Sequence, residues 1–473
     1  MDDIIFLIKG NRNGEPFAAE MYQGGEQPYF TLRWQEDEGE LHIRIIPKEF
    51  DEYGEPVGDL TLESVTLTFP WECRGGKQPE QIFMNGYQSW TDSHEHTVGE
   101  KEPAISPFAS GMVEKYYLDR YGDSLFTMKG TAAGQFHGFT YCYFRDGVTY
   151  RFVGSLSERS GFTVFYYNAD AGRMSIEKDC AGVNISEEWN AFDLVEITGS
   201  EDQVFDTYFE KMNIAKPKGR PMTGYTSWYN HYQNISAQII SDNLEHVHEM
   251  GQSFDVFQID DGYQTYVGDW LDVQKDKFPD GLEPIVDKIH EYGMKAGLWL
   301  SPFVCEKESR CFRRHPDWLV RDAKGEPFCG GSNWSTFYAL DLSNEEVREY
   351  LREVFHQVLD VWGFDLVKLD FLYAVCMLPT EYKTRGQIMC EAMDFLREVI
   401  GDKLILGCGV PLGPAFGKVD YCRIGPDVGL RSEGEVASPG ESIDKEYDRQ
   451  HDLSQTVKRT CFLERSGCVS AAG

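Results

Sequence analysis

The chain contains no run of about 18 apolar residues, which argues against a membrane-spanning helix. Its twelve cysteines include no C-x-x-C pair, so neither a zinc knuckle nor a dense disulfide framework is indicated, and packed, reduced thiols are expected. Basic residues are scarce. Against 78 Asp+Glu stand 45 Lys+Arg, a net charge of -33 whose field repels phosphate backbones and anionic membrane surfaces. Neither nucleic acid nor membrane is expected as a partner. The first residues, Met1-Asp2-Asp3-Ile4-Ile5-Phe6, lack the basic region, apolar run and small-residue cleavage site of a secretory signal, and the chain reads as soluble and cytoplasmic. In that setting the Asn-x-Ser matches at Asn184, Asn234 and Asn333 read as chance.

What the chain does have is length and aromatic residues. Its 473 residues, 41% hydrophobic and 14% aromatic, can fill more than one core. Aromatic side chains also suit stacking on the face of a neutral sugar, a ligand that the acidic surface does not repel.

Residues 1–215 show short alternating stretches between turn residues, as in Ser64-Val65-Thr66-Leu67-Thr68-Phe69 and Phe162-Thr163-Val164-Phe165-Tyr166-Tyr167. That period predicts an N-terminal antiparallel β-sandwich. A basic, proline-containing stretch, Lys216-Pro217-Lys218-Gly219-Arg220-Pro221, marks the expected domain boundary. In residues 216–473 short apolar strands alternate with amphipathic helices. Strands are expected at Tyr225–Trp228, Val256–Ile259, Ala296–Leu300, Leu366–Leu369, Leu404–Leu406 and Tyr421–Ile424. Ser236 is expected to cap the first helix, and Ser343 with Glu346 to form a capping box. Strict alternation implies parallel strands joined by right-handed crossovers. Tyr225-Thr226-Ser227-Trp228-Tyr229 is not a glycine fingerprint, which favours a closed (β/α) barrel over an open nucleotide-binding sheet.

Several strands end in a carboxylate or an aromatic: Trp228, Asp260 and Asp261, Trp299, Asp370, and Asp427 just past the sixth. The carboxyl ends of barrel strands converge on one mouth. A single aspartate there could be a helix cap, but capping does not require repetition on several strands. Two carboxylates facing each other are what glycoside hydrolysis needs, one as nucleophile and one as acid/base in the retaining form. Lys368, two residues before Asp370, points the same way in a strand and would help hold that aspartate ionised. Asp427 would need a less solvated setting to keep its proton.

The segments Asp260-Asp261-Gly262-Tyr263, Gly268-Asp269-Trp270, Lys277-Phe278-Pro279-Asp280-Gly281-Leu282 and Gly293-Met294-Lys295-Ala296-Gly297-Leu298-Trp299 resemble the successive signatures of glycoside hydrolase family 36 α-galactosidases. So do Lys368-Leu369-Asp370, Gly407-Cys408-Gly409, Arg423-Ile424-Gly425-Pro426-Asp427 and, earlier, Asn85-Gly86-Tyr87-Gln88-Ser89-Trp90. The resemblance covers roughly residues 80 to 430. It implies a (β/α)8-type TIM barrel and retaining hydrolysis of terminal α-D-galactosides of the melibiose and raffinose type, with no metal or organic cofactor. Position by position, it implies Asp370 as nucleophile and Asp427 as acid/base. Asp260, Asp261, Lys368, Cys408 and Arg423 would contact the sugar. Trp228 and Trp299 would form apolar walls, and Trp90 would reach over the mouth from the sandwich. The motifs fix the mechanism better than the ring substituents. A related α-glycosidase or an α-galactosyltransferase, acting on N-acetylgalactosamine or another hexose, therefore stays open, as does assembly into a homo-oligomer. After Asp427 the family's seventh and eighth units and C-terminal β-domain have no counterpart in stretches such as Ser432-Glu433-Gly434-Glu435 and Ser438-Pro439-Gly440-Glu441-Ser442. A truncated barrel is expected, and with it the alternative of an inactive sugar-binding remnant.

Overall fold

The computed structural model describes residues 4–22, 25–71, 78–91, 93–102, 110–123, 132–215, 220–251, 253–425 and 427. Residues 216–219, in the expected boundary, and the stretches after Asp427 lie outside the described residues.

Strands Glu15–Tyr22, Ile5–Arg12, Leu60–Pro70, Arg173–Ile185, Phe162–Asn168 and Gln135–Phe139 form, in that spatial order, a six-stranded antiparallel sheet. Phe30–Asp37, Glu40–Pro47, Trp189–Gly199, Thr149–Ser155, Tyr141–Asp146, Gln81–Met84 and Glu95–His96 form a seven-stranded one. Alternation in Leu60–Pro70 turns Leu62, Val65, Leu67 and Phe69 inward. They share a core with Phe6, Ile43, Phe144 and Phe165 between the sheets. The seven-stranded sheet is buried on its other face too. There Tyr141 and Phe152 meet Phe205 and Tyr208 of helix Glu201–Lys211, in the core that continues into the barrel. Two buried faces explain why Tyr141-Cys142-Tyr143-Phe144 is apolar without alternation.

Six parallel strands follow in sequence order across one sheet: Gly224–Thr226, Val256–Ile259, Lys295–Leu300, Leu366–Leu369, Leu404–Gly407 and Tyr421–Cys422. Helices Ala237–Glu249, Glu283–Glu291, Glu345–His356 and Arg385–Ile400 intervene. The described residues thus form six strands of a (β/α)8-type barrel. Among the described residues its first and sixth strands each have one neighbour.

Three local expectations are corrected. The first strand stops at Thr226, and Trp228 opens a short helix, Trp228–His231, because Ser227 already has helical backbone angles. The third helix is capped not by Ser343 but by Asn344, whose side chain accepts from Glu346 N, while Ser343 hydrogen-bonds Asp341. The sixth strand ends at Cys422. Ser236 does cap its helix, accepting from Ile239 N.

An unanticipated excursion, residues 301–344, separates the third strand from the helix at Glu345. It carries a small antiparallel sheet of Val304–Glu306, Phe337–Ala339 and Cys329–Gly331. No helix among the described residues is long and apolar enough to cross a membrane. The nine described cysteines are all free thiols, eight of them buried and Cys329 partly so.

Candidate active site

The ladder of the parallel sheet runs one residue past its strands. Asp370 N donates to Leu300 O, Cys408 N to Leu369 O and Arg423 N to Gly407 O, each at 2.8 Å. These bonds set Asp370, Cys408 and Arg423 side by side at the carboxyl edge, where the next backbone group of each strand would otherwise be unpaired. Asp260 joins the row from the second strand, its N–H donating to Ser227 Oγ at 2.9 Å.

Asp260 is buried and accepts on Oδ2 from Lys368 Nζ at 2.8 Å and Gln258 Nε2 at 2.7 Å. Lys368 thus makes its ion pair with Asp260, while Asp370 stays within reach of its charge. The two side chains come from the second and fourth strands, on either side of the third, and meet over the barrel interior. Burial alone would push Lys368 down, but the charges of Asp260 and Asp370 outweigh it and hold the ammonium above its usual range. Asp261 accepts from Gln264 at 2.6 Å, Gln233 at 2.7 Å and the Trp334 indole at 2.9 Å. Burial, with Asp260 adding to it, still raises Asp261 above the ordinary carboxyl range despite these donors.

Asp370 is buried, and each of its carboxylate oxygens has a fixed donor: Trp299 Nε1 to Oδ2 and Phe371 N to Oδ1, both at 3.0 Å. The residue after it, Phe371, holds a left-handed φ of 53°, a sparsely populated conformation for a residue with a side chain. Cys408 is fully buried beside it. The Cys408 sulfur accepts from Trp90 Nε1 at 3.1 Å and Arg423 Nη1 at 3.7 Å. Burial and then Asp370 push that thiol far up, so it stays protonated. Trp90 packs edge-on against Phe371 at 4.8 Å, and its segment is tied to the barrel by Ser89 N to Val410 O and Gly425 N to Ser89 O.

Asp427 pairs with Arg423 at 2.5 Å and accepts from Trp228 Nε1 at 3.0 Å. Its side chain is 43% exposed, so the shielded setting expected for it is not what the described residues provide. Trp228 is a hydrogen-bond donor more than an apolar wall. Trp299 is buried and does both, meeting Trp270 and Trp334 while donating to Asp370.

The structure therefore gathers all ten residues singled out from the sequence, Trp90, Trp228, Asp260, Asp261, Trp299, Lys368, Asp370, Cys408, Arg423 and Asp427, into one linked group. Four carboxylates face two cations. Sequence reasoning missed Trp334, Gln233, Gln264 and Tyr229. Tyr229 lies within the fields of Arg423 and Asp427, and burial above all pushes it up to about 12. Trp334 could have been suspected, because 44 residues between a strand and its helix is long for a barrel loop and such loops carry binding groups.

The Melibiase family model matches residues 202–392. The α-galactosidase Mel36A of Lactobacillus acidophilus is 31% identical over 151 residues, 30% of this chain and 20% of that protein. An A type blood α-D-galactosamine galactosaminidase of Flavonifractor plautii is 31% identical over 173 residues, 32% of this chain and 16% of that protein. The match thus spans about a fifth or less of these relatives. The solved structure of an α-galactosidase of Thermus thermophilus with stachyose superposes with a TM-score of 0.62 at 25% identity, covering 98% of this chain and 83% of that one.

Proposed function

We propose that this chain is a member of glycoside hydrolase family 36 and hydrolyses terminal α-D-galactosides of the melibiose and raffinose type with retention at the anomeric carbon. The observation that carries this reading is Asp370. It is a buried carboxylate at the end of the fourth parallel strand with both oxygens oriented by donors, and Lys368 and Arg423 lie within its field. In this reading an Asp370 oxygen attacks the anomeric carbon as the bond to the leaving oxygen breaks, and Asp427 gives that oxygen a proton. Asp427 then takes a proton from water, which displaces Asp370 and releases the sugar. Positive charge develops on the ring in both steps, and an excess of two carboxylates over cations favours it. Asp260, Asp261 and Lys368 would hold the sugar hydroxyls, and Trp90 and Trp299 would close the apolar side.

The solved Thermus relative binds p-nitrophenyl α-D-galactopyranoside and stachyose, which supports the substrate class. The galactosaminidase relative favours one second reading, a sugar with nitrogen at C2. Rates on p-nitrophenyl α-galactoside and its 2-acetamido analogue separate the two.

Asp370→Asn tests the proposal, since an amide cannot form the glycosyl-enzyme ester. Hydrolysis of p-nitrophenyl α-galactoside should fall by at least about a hundredfold with binding nearly intact. A loss smaller than about tenfold, or β-galactose as the first product by proton NMR, overturns it.

A further inference from the structure

We propose that His94, His96 and Glu100 form a structural site for one divalent transition-metal ion of the zinc class. His94 and His96 alternate about the short strand Glu95–His96, so both side chains leave the same side of the chain, and their ring centroids lie 4.1 Å apart. The turn that follows brings Glu100 back. Glu100 N donates to Thr97 O at 3.0 Å, Thr97 Oγ1 donates to Glu100 Oε1 at 2.9 Å, and Glu100 Oε2 lies 3.2 Å from His96 Nδ1. One ligand atom from each of the three residues falls within 4.8 Å of the other two.

Tetrahedral zinc, with bonds of about 2.0–2.1 Å, wants its ligand atoms roughly 3.4 Å apart. Glu100 Oε2 and His96 Nδ1 already stand at 3.2 Å, and all three ligand atoms lie within 4.8 Å of one another, so only a small contraction of the group separates it from that spacing. Two imidazoles and one carboxylate select a zinc-class ion over calcium or magnesium, which prefer all-oxygen shells. Neighbouring acids are already engaged, Glu95 by Arg145 and Glu102 by His137, so water completes the shell.

The position gives the ion a role. Strands Gln81–Met84 and Glu95–His96 pair through Ile82 with His96, and the loop between them carries Trp90 to Cys408. A metal at its base would close this loop and restrict the segment that places Trp90.

The test uses the full chain, tag-free and stripped with a chelator. Titration with cobalt(II) should show one ion per chain, with visible bands of nitrogen and oxygen coordination and no thiolate charge-transfer band, displaced by equimolar zinc. His94→Gln should weaken binding at least about tenfold, and the His94→Ala/His96→Ala pair at least about a hundredfold. Circular dichroism checks that each variant is folded. If the pair unfolds, His94→Gln and Glu100→Gln decide. No stoichiometric cobalt uptake, a thiolate band, or unchanged affinity in His94→Gln overturns the proposal.

Discussion

The Trp90 indole donates to the Cys408 sulfur across 318 residues of sequence, so a loop of the antiparallel part of the chain is locked to the barrel beside Asp370. The lock depends on Gly409, whose φ is +57° and whose added Cβ would lie 2.8 Å from Trp90 Cζ2.

Gly409→Ala should therefore destabilise by about 1–2 kcal/mol from the left-handed backbone and by about 1–3 kcal/mol more from the contact with Trp90. In a Trp90→Ala background only the first part should remain. Denaturant unfolding of the four chains measures the difference. Equal costs in both backgrounds would mean that Trp90 does not press on this position.

Lys368 and Asp260 are a buried ion pair at 2.8 Å. Lys368→Met leaves Asp260 charged and without its cation, and should cost about 3–5 kcal/mol. Adding Asp260→Asn should restore more than half of that loss, because the desolvated charge is gone. No recovery in the double variant would place the cost in packing instead.

An acid is most needed when the leaving group is a poor one. Asp427→Ala should slow release of sugar leaving groups from raffinose or melibiose far more than release of a nitrophenol. Added azide should then rescue the second step and yield β-galactosyl azide from the emptied face. Equal slowing of both substrates without that product would remove Asp427 from the role. Asp420 could not replace it, being held by Arg397 and Ile405 N before the sixth strand begins.

His137 lies between Glu102 at 2.6 Å and Asp123 at 2.9 Å. Burial alone would lower it, but the hydrogen bonds it donates to Asp123 and Glu102 raise it from 6.5 to about 10. A raised folded value means that its stabilisation is complete below pH 6.5 and is lost as pH rises through about 10. The melting temperature should fall across that window, and Asp123→Asn should flatten the fall. Parallel curves for parent and variant would show that the cluster does not titrate there.

The barrel was legible because its strands are short, mostly apolar and fully buried runs that end in marked residues. Val256–Ile259 and Leu366–Leu369 fall where the sequence places them, each followed at once by an aspartate. The misplacements have local causes. Ser343 and Asn344 are adjacent cap candidates, and only the backbone angles decide between them. Trp228 ends a run too short for periodicity to separate strand from helix.

The sequence by itself determined the alternation of strands and helices, the antiparallel region before it, and the carboxylates and aromatics at the strand ends. These are local facts, written in period, caps and residue type. Only the tertiary structure decided which donor meets which carboxylate: Lys368 with Asp260, Trp334 with Asp261, Trp299 with Asp370, Trp228 with Asp427. Periodicity says which face a side chain takes but not what waits there, because the partners are dozens to hundreds of residues apart and meet only when the sheet curls.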